Sequence, residues 1–117
     1  MPAVVPCAAV FPGHIYSASK AAVIHLSRNV AAEISSSGVR VNTISPGGVV
    51  TGIFAKAAGL DGARADRVLG VISDLFATVQ PIPRAGVTDD IANAALFLAS
   101  DAASAVTGAL LPVSGRV

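Results

Sequence analysis

The sequence is short of charge. Aspartate, glutamate, lysine and arginine together make up 13% of its 117 residues, whereas a globular domain carries about 25%. Apolar residues make up 53%, and the mean hydropathy is +0.70. A small soluble domain has a high ratio of surface to volume and should be richer in charge, not poorer. Three explanations fit: a membrane segment, a small protein whose apolar faces are covered by partners, or a piece of a larger core.

Long hydrophobic runs are missing as well. The longest uncharged stretch, residues 1–19, contains three prolines, a glycine and a histidine, whereas a membrane-spanning helix needs about 20 mostly apolar residues. The same stretch has no lysine or arginine, so it lacks the basic start of a secretory signal. These absences argue against a membrane segment and predict a cytoplasmic protein that does not bind membranes.

Cysteine and basic clusters are equally sparse. The single cysteine, Cys7, excludes an internal disulfide framework, and we interpret it as a small hydrophobic residue. His14 and His25 are separated from it and from each other, so no metal site is indicated. The net charge is +1, without a basic stripe or an aromatic platform, which argues against nucleic-acid binding.

Apolar spacing, together with the positions of proline and glycine, predicts an α/β arrangement with parallel strand pairing. The predicted elements are a helix over 16–37 ended by Gly38, a strand over 39–44, a helical turn over 53–58, helices over 64–79 and 89–99, and a strand over 109–113 after a turn at Gly108. Thr88 is the expected N-cap of the last helix. Because two strands do not form a stable parallel sheet alone, we expect further strands to be missing or supplied by another chain.

Tyr16 and Lys20 are the candidate catalytic pair. At positions i and i+4 of a helix, their phenol and ammonium lie side by side on one face. A nearby cation stabilises a phenolate, which makes tyrosine a usable proton donor and acceptor. The motif Tyr-x-x-x-Lys is weak by itself, because ordinary pairs on helix surfaces share its spacing.

The surroundings of this pair strengthen the interpretation. The chain closely resembles the short-chain dehydrogenase/reductase family in the segments YSASKAAV (16–23), NVAAE (29–33), GVRVNTISPG (38–47), PRAG (83–86), DDIA (89–92), LFLASD (96–101) and VTG (106–108). The resemblance implies a doubly wound Rossmann fold. It also implies hydride transfer between NAD or NADP and a small-molecule alcohol or carbonyl substrate.

The same resemblance implies roles for individual residues. Tyr16 would be the general acid and base, and Lys20 would support it and bind the nicotinamide ribose. The cofactor loop would contribute Pro46, Gly47, Val49 and Thr51, with the Val49 backbone at the carboxamide and Thr51 supporting it.

Other parts of the chain also have counterparts in the family. Residues 52–80 correspond to its mobile substrate-binding region, and we expect structural roles for Asn42 and Arg84. The catalytic helix of the family lies at a subunit interface, which implies a homo-oligomer.

Three departures from the family pattern weaken the prediction of activity. The active-site serine of the family corresponds to Ala3, and residues 1–15 contain no serine or threonine; losing such a hydrogen-bond donor costs on the order of a hundredfold in rate. The glycine-rich phosphate loop is absent, so residues 1–117 alone should bind a nicotinamide cofactor poorly. Near the C-terminus, Ser114 and Arg116 replace an aspartate and a glycine.

We therefore expect residues 1–117 to form a single incomplete Rossmann-type domain, the C-terminal half of an NAD(P)-dependent oxidoreductase without its cofactor-binding βαβ half. The intact Tyr16 and Lys20 favour this hypothesis. The alternative is a catalytically inactive remnant that serves as an oligomerisation or binding module, and a small membrane-associated peptide is a third hypothesis. An excess of apolar residues is then expected, because the helices and strands are patterned to be covered by layers outside this chain.

Overall fold

A computed structural model describes residues 13–115 as an α/β structure. Its helices are His14–Ile34 (α1), Ile53–Ala57 (α2), Gly62–Val79 (α3) and Thr88–Ala99 (α4), and its strands are Thr43–Pro46 (β1) and Leu110–Val113 (β2). Short 3₁₀ helices follow α1 at Ser35–Ser37 and α4 at Asp101–Ala103. The predicted α/β class is confirmed. Ala3, Cys7 and Arg116, which the sequence singles out, lie outside the described residues.

Strands β1 and β2 pair in a two-stranded sheet. The N–H of Thr43 donates to the carbonyl of Ala109 at 2.8 Å, and the N–H of Gly47 donates to the carbonyl of Val113 at 3.1 Å. Donor and acceptor positions advance together along the chain, so the two strands are parallel. The predicted parallel pairing is therefore confirmed.

The first strand does not begin where the sequence predicts. The pattern favours residues 39–44, but β1 starts at Thr43 and ends at Pro46. Before Thr43, side chains share the pairing with the backbone. The Gly108 N–H donates to the Val41 carbonyl at 2.7 Å, but the Val41 N–H donates to Thr107 Oγ1 at 3.2 Å. The Asn42 side chain donates to the Val106 carbonyl at 2.9 Å and accepts the Ala109 N–H at 3.0 Å. The regular strand therefore starts only at Thr43.

The helix ends show one further difference. The left-handed turn predicted after α1 is present at Gly38, where φ is 80°, a conformation that glycine adopts without strain. Thr88, however, is the first residue of α4, and Val87 occupies the N-cap position. The Val87 N–H donates to Asp90 Oδ2 at 2.9 Å. The prediction of Thr88 as the cap is wrong because a carboxylate three residues further on binds this N–H.

Contacts divide the described residues into two compact units, residues 13–43 with 103–111 and residues 44–102 with 112–115. In the first unit, Ala31 and Ala103 are buried. In the second, α2 packs against α3, and Phe76 and Leu98 are buried. Each unit therefore has a small core.

Large apolar side chains of the described residues stay exposed in consequence. Ile15 is 86% exposed and Leu26 is 61% exposed on α1, and Val71 and Leu96 are each 69% exposed on α3 and α4. Within residues 13–115, no helix combines the length and the apolar character required to cross a bilayer.

Candidate active site

Tyr16 and Lys20 come together near the start of α1, in the first unit. Lys20 Nζ lies 5.4 Å from the centroid of the Tyr16 ring, within the range at which an aromatic face attracts a cation. Helical spacing alone produces this arrangement, since residues four apart share a face. Tyr16 is 49% exposed, so solvent reaches about half of its surface.

Hydrogen bonds hold the backbone around this pair. The Ser17 N–H donates to the carbonyl of Gly13 at 3.1 Å and closes the first turn of α1. Ser19 Oγ donates to the carbonyl of Tyr16 at 2.7 Å. The backbone that carries the phenol is therefore fixed locally.

The predicted cofactor loop lies in the second unit and begins at exposed Pro46, the last residue of β1. Its glycines are packed against the protein itself. A Cβ placed on Gly47 would lie 2.5 Å from Ser114 Cα, and one on Gly48 would lie 2.5 Å from Gln80 Nε2 and 2.9 Å from the Phe76 ring. Internal packing therefore explains why both positions are glycine, independently of any ligand.

Val49 forms an isolated parallel bridge with Gly86. The bridge uses the Gly86 N–H, which donates to the Gly48 carbonyl at 2.9 Å, and the Val50 N–H, which donates to the Gly86 carbonyl at 3.0 Å. Peptide groups alternate in direction along extended backbone. The N–H and carbonyl of Val49 itself therefore point away from Gly86, as a backbone contact to a ligand would require.

Thr51 completes the set of predicted loop residues. It is half-buried and lies two residues before α2, whose first turn is closed by the Lys56 N–H donating to the Gly52 carbonyl at 3.0 Å. The loop thus passes directly into the segment that the sequence assigns to substrate binding.

Arg84 and Asp90 form a bidentate ion pair, with two N–O distances of 2.7 Å. The hydrogen bonds from Arg84 and from the Val87 N–H lower the pKa of Asp90 to about 2. The same carboxylate raises the pKa of Arg84. The pair ties the segment before α4 to the first turn of that helix, which is a structural arrangement.

A cleft of about 470 Å³ lies beside this pair in the second unit. Its lining includes Gln80, Arg84, Asn93, Pro112 and Ser114. Gln80 cannot be singled out from the sequence, because a single glutamine after a helix carries no recognisable signal. Its burial, at 5% exposed, appears only in the fold.

Each unit can be compared with a nicotinamide dinucleotide by itself. In the first unit, Tyr16 and Lys20 carry a hydroxyl and an ammonium, which are groups that can bind a ribose. In the second unit, the N–H and carbonyl of Val49 point away from Gly86, as contact with an amide requires. The space beside Gly47 and Gly48, in contrast, is taken up by Ser114, Gln80 and Phe76 of the protein itself. Within residues 13–115, no group of three or more histidine, cysteine, aspartate or glutamate side chains is placed to hold a metal ion.

Comparison with known proteins identifies the family. A family model described as enoyl-(acyl carrier protein) reductase matches residues 5–115. A "short chain aldehyde dehydrogenase 1" from Euphorbia lathyris is 43% identical over 110 residues, which cover 92% of this chain and 38% of that protein. The chain belongs to the short-chain dehydrogenase/reductase family.

Solved structures of this family agree with the fold. A 7α-hydroxysteroid dehydrogenase complexed with NADH and 7-oxo glycochenodeoxycholic acid is 41% identical, with a TM-score of 0.66 over 86% of this chain and 35% of that chain. A protein from Beutenbergia cavernae assigned as an NAD(P)-dependent gluconate 5-dehydrogenase, with NADP bound at low occupancy, is 40% identical, with a TM-score of 0.67 over 86% of this chain and 36% of that chain. The chain thus spans little more than a third of the length of these relatives.

Proposed function

We propose that this chain carries the catalytic helix and substrate-facing segments of an NAD(P)-dependent oxidoreductase acting on an alcohol or carbonyl. The observation that carries the proposal is the Tyr16 and Lys20 pair on the surface of α1, with Lys20 Nζ 5.4 Å from the ring. In this proposal, residues 1–117 are part of one doubly wound Rossmann-type domain. Relatives solved with NADH and NADP support the cofactor class and leave the choice between the two open.

Tyr16 is the proton donor and acceptor in this mechanism. In the direction of reduction, its hydroxyl donates a proton to the carbonyl oxygen of the substrate as the carbonyl carbon is reduced. In the direction of oxidation, the phenolate accepts the proton of the alcohol. A bound nicotinamide supplies or accepts the hydride.

Lys20 and the loop residues are assigned separate roles. The Lys20 ammonium stabilises negative charge on the Tyr16 oxygen and would hold the nicotinamide ribose. Pro46 and Gly47 turn the chain out of β1, the Val49 backbone would hold the carboxamide, and Thr51 would support that contact. Residues 52–80 form the proposed substrate-binding region.

A second function is favoured by two observations. The family's serine position is Ala3 in this chain, and the apolar side chains of α1 are exposed, Ile15 to 86% and Leu26 to 61%. Both fit a non-catalytic module that associates with a second copy of the chain. Homo-oligomerisation is part of both proposals, and the cytoplasmic location stays a prediction.

The decisive experiment is turnover by the full chain, supplied with saturating NADH or NADPH and a panel of ketones and aldehydes. Tyr16→Phe should lower kcat by about a hundredfold or more, because it removes the proton donor. Ser27→Ala, which deletes a hydroxyl bonded to the Val23 carbonyl on the same helix, should leave kcat unchanged. Absence of turnover by the unaltered chain, together with a dimer in sedimentation, would favour the non-catalytic module.

A further inference from the structure

Gln80 is a buried polar residue of the second unit, at the end of the segment assigned to substrate binding and without an individual role in the proposed function. It is 5% exposed and follows α3 directly as its C-cap, with its N–H donating to the carbonyl of Phe76 at 3.0 Å. Its side-chain Nε2 donates to the carbonyl of Gly48 at 3.4 Å. The end of α3 is thereby joined to the candidate cofactor loop.

Two glycines give the Gln80 side chain its space. A Cβ on Gly48 would lie 2.5 Å from Gln80 Nε2, and a Cβ on Gly115 would lie 2.6 Å from Gln80 Oε1. The amide therefore fits closely between the loop and the segment after β2. Such a fit restricts the rotamers of the side chain.

The Gly48 carbonyl accepts two hydrogen bonds, from the Gly86 N–H at 2.9 Å and from Gln80 Nε2 at 3.4 Å. The carbonyl of Gly48 and the N–H of Val49 belong to one planar trans peptide, so they point in opposite directions. Holding the carbonyl inward consequently directs the Val49 N–H outward.

We propose that Gln80 is a positioning residue, which sets the Gly48–Val49 peptide for contact with a nicotinamide carboxamide and couples that peptide to the end of α3. The proposal rests on the proposed function, which assigns the carboxamide to the Val49 backbone. The carboxamide is bound by backbone, and Gln80 acts only through the Gly48 carbonyl.

Amide NMR of the full chain tests the hold on the peptide without any cofactor. Gln80→Glu loses the donor and places a carboxylate beside the carbonyl, whereas Gln80→Met loses the donor without adding charge. Each should shift the Val49 resonance and speed hydrogen exchange at the Gly86 N–H by about fivefold, as expected for a lost hydrogen bond. Asn93→Asp, a matched amide-to-acid change in the same cleft, should leave both unchanged.

Unchanged exchange in folded Gln80 variants would overturn the proposal. Where neither variant folds, the unaltered chain decides, since an NOE between the Gln80 side-chain amide and the Gly86 N–H is required and its absence overturns the proposal equally.

Titration with nicotinamide mononucleotide tests the link to the cofactor. In the unaltered chain it should perturb the Val49 amide, and in Gln80→Met its affinity should fall by about threefold to tenfold. Equal binding and equal perturbation in both proteins would show that Gln80 does not position the contact. If the Val49 amide of the unaltered chain did not shift, the carboxamide contact of the proposed function would be refuted instead. Hydrogen exchange at the Gly86 N–H would still test the role of Gln80.

Discussion

The Tyr16 and Lys20 pair and the loop after β1 are held in different ways. Tyr16 and Lys20 are neighbours because they lie about one turn apart on α1. The loop after β1 follows its course because residues distant in sequence pack against it, Ser114 on Gly47 and Gln80 on Gly48. The Tyr16 and Lys20 pair therefore needs only its helix, whereas the loop needs the folded second unit.

The first test is whether the loop after β1 depends on the close packing of Ser114 against Gly47. Gly47→Ala places a Cβ 2.5 Å from Ser114 Cα and Cβ. Because the backbone there cannot shift without disturbing its own contacts, we expect the free energy of unfolding to fall by about 2 to 3 kcal/mol. Urea denaturation measures the change. The helicity of α1 should be unaffected, because nothing in that helix depends on Gly47.

A matched control uses a glycine that packs against nothing. In Gly70→Ala, on α3, the added Cβ meets no atom within 4 Å, and alanine should raise stability by about 0.5 to 1 kcal/mol. Similar losses at both positions would contradict the distinction between them.

The second test concerns the first unit, where a side chain replaces backbone pairing. Asn42→Ala removes the donor to Val106 and the acceptor of the Ala109 N–H. We expect a loss of about 1 to 2 kcal/mol in unfolding free energy, because the Ala109 N–H loses its partner while the Val106 carbonyl keeps the hydrogen bond from Arg40 Nη1 at 3.3 Å. Thermal unfolding measures the loss, and the Ala109 amide should exchange faster.

Asn29→Ala on α1 is the matched control for this change. Asn29 is exposed, so its replacement should alter stability by about 0.5 kcal/mol or less. If Asn42→Ala were as mild as Asn29→Ala, the side-chain contacts of Asn42 would not hold the start of β1.

The smallest expected effect concerns the Arg84 and Asp90 pair, whose side chains are 56% and 27% exposed. The pKa of Asp90 is lowered from 3.8 to about 2 in the folded chain. Because the pKa of Asp90 is lower in the folded chain, its ionised carboxylate stabilises the fold at any pH above the pKa of the unfolded chain. This contribution is lost as the pH falls from about 4 to 2. The stability difference between the unaltered chain and Asp90→Asn should accordingly shrink over that range.

Asp89→Asn separates the ion pair from the helix dipole, since Asp89 occupies the same first turn of α4. Acid titration of unfolding should show this trend for Asp90→Asn. The same trend for Asp89→Asn would assign the effect to the dipole rather than to Arg84.

The sequence predicts what depends on short-range periodicity. The helical face shared by Tyr16 and Lys20, and the left-handed turns at Gly38 and Gly108, follow from residue spacing and glycine chemistry. The start of β1 could not be predicted from the sequence. A pattern of β-branched residues predicts pairing between backbones, whereas the side chains of Asn42 and Thr107 make part of the hydrogen bonds there.

The same limit applies to Gln80 and to the cap of α4. Whether a glutamine lies beneath a carbonyl depends on the placement of Gly48 and Gly115 around it, which no local pattern encodes. Val87, rather than Thr88, is the N-cap of α4, because its N–H binds the Asp90 carboxylate, which is held in place by Arg84.

The parallel pairing of β1 with β2 also has a kinetic consequence. The register joins residues 66 positions apart in sequence, as in the contact between Val41 and Thr107. Closing a loop of this length costs chain entropy before any ladder bond compensates for it, and such pairings form slowly. During synthesis, β1 must therefore wait unpaired until residues 110–113 have left the ribosome, while α1 can form as soon as it emerges.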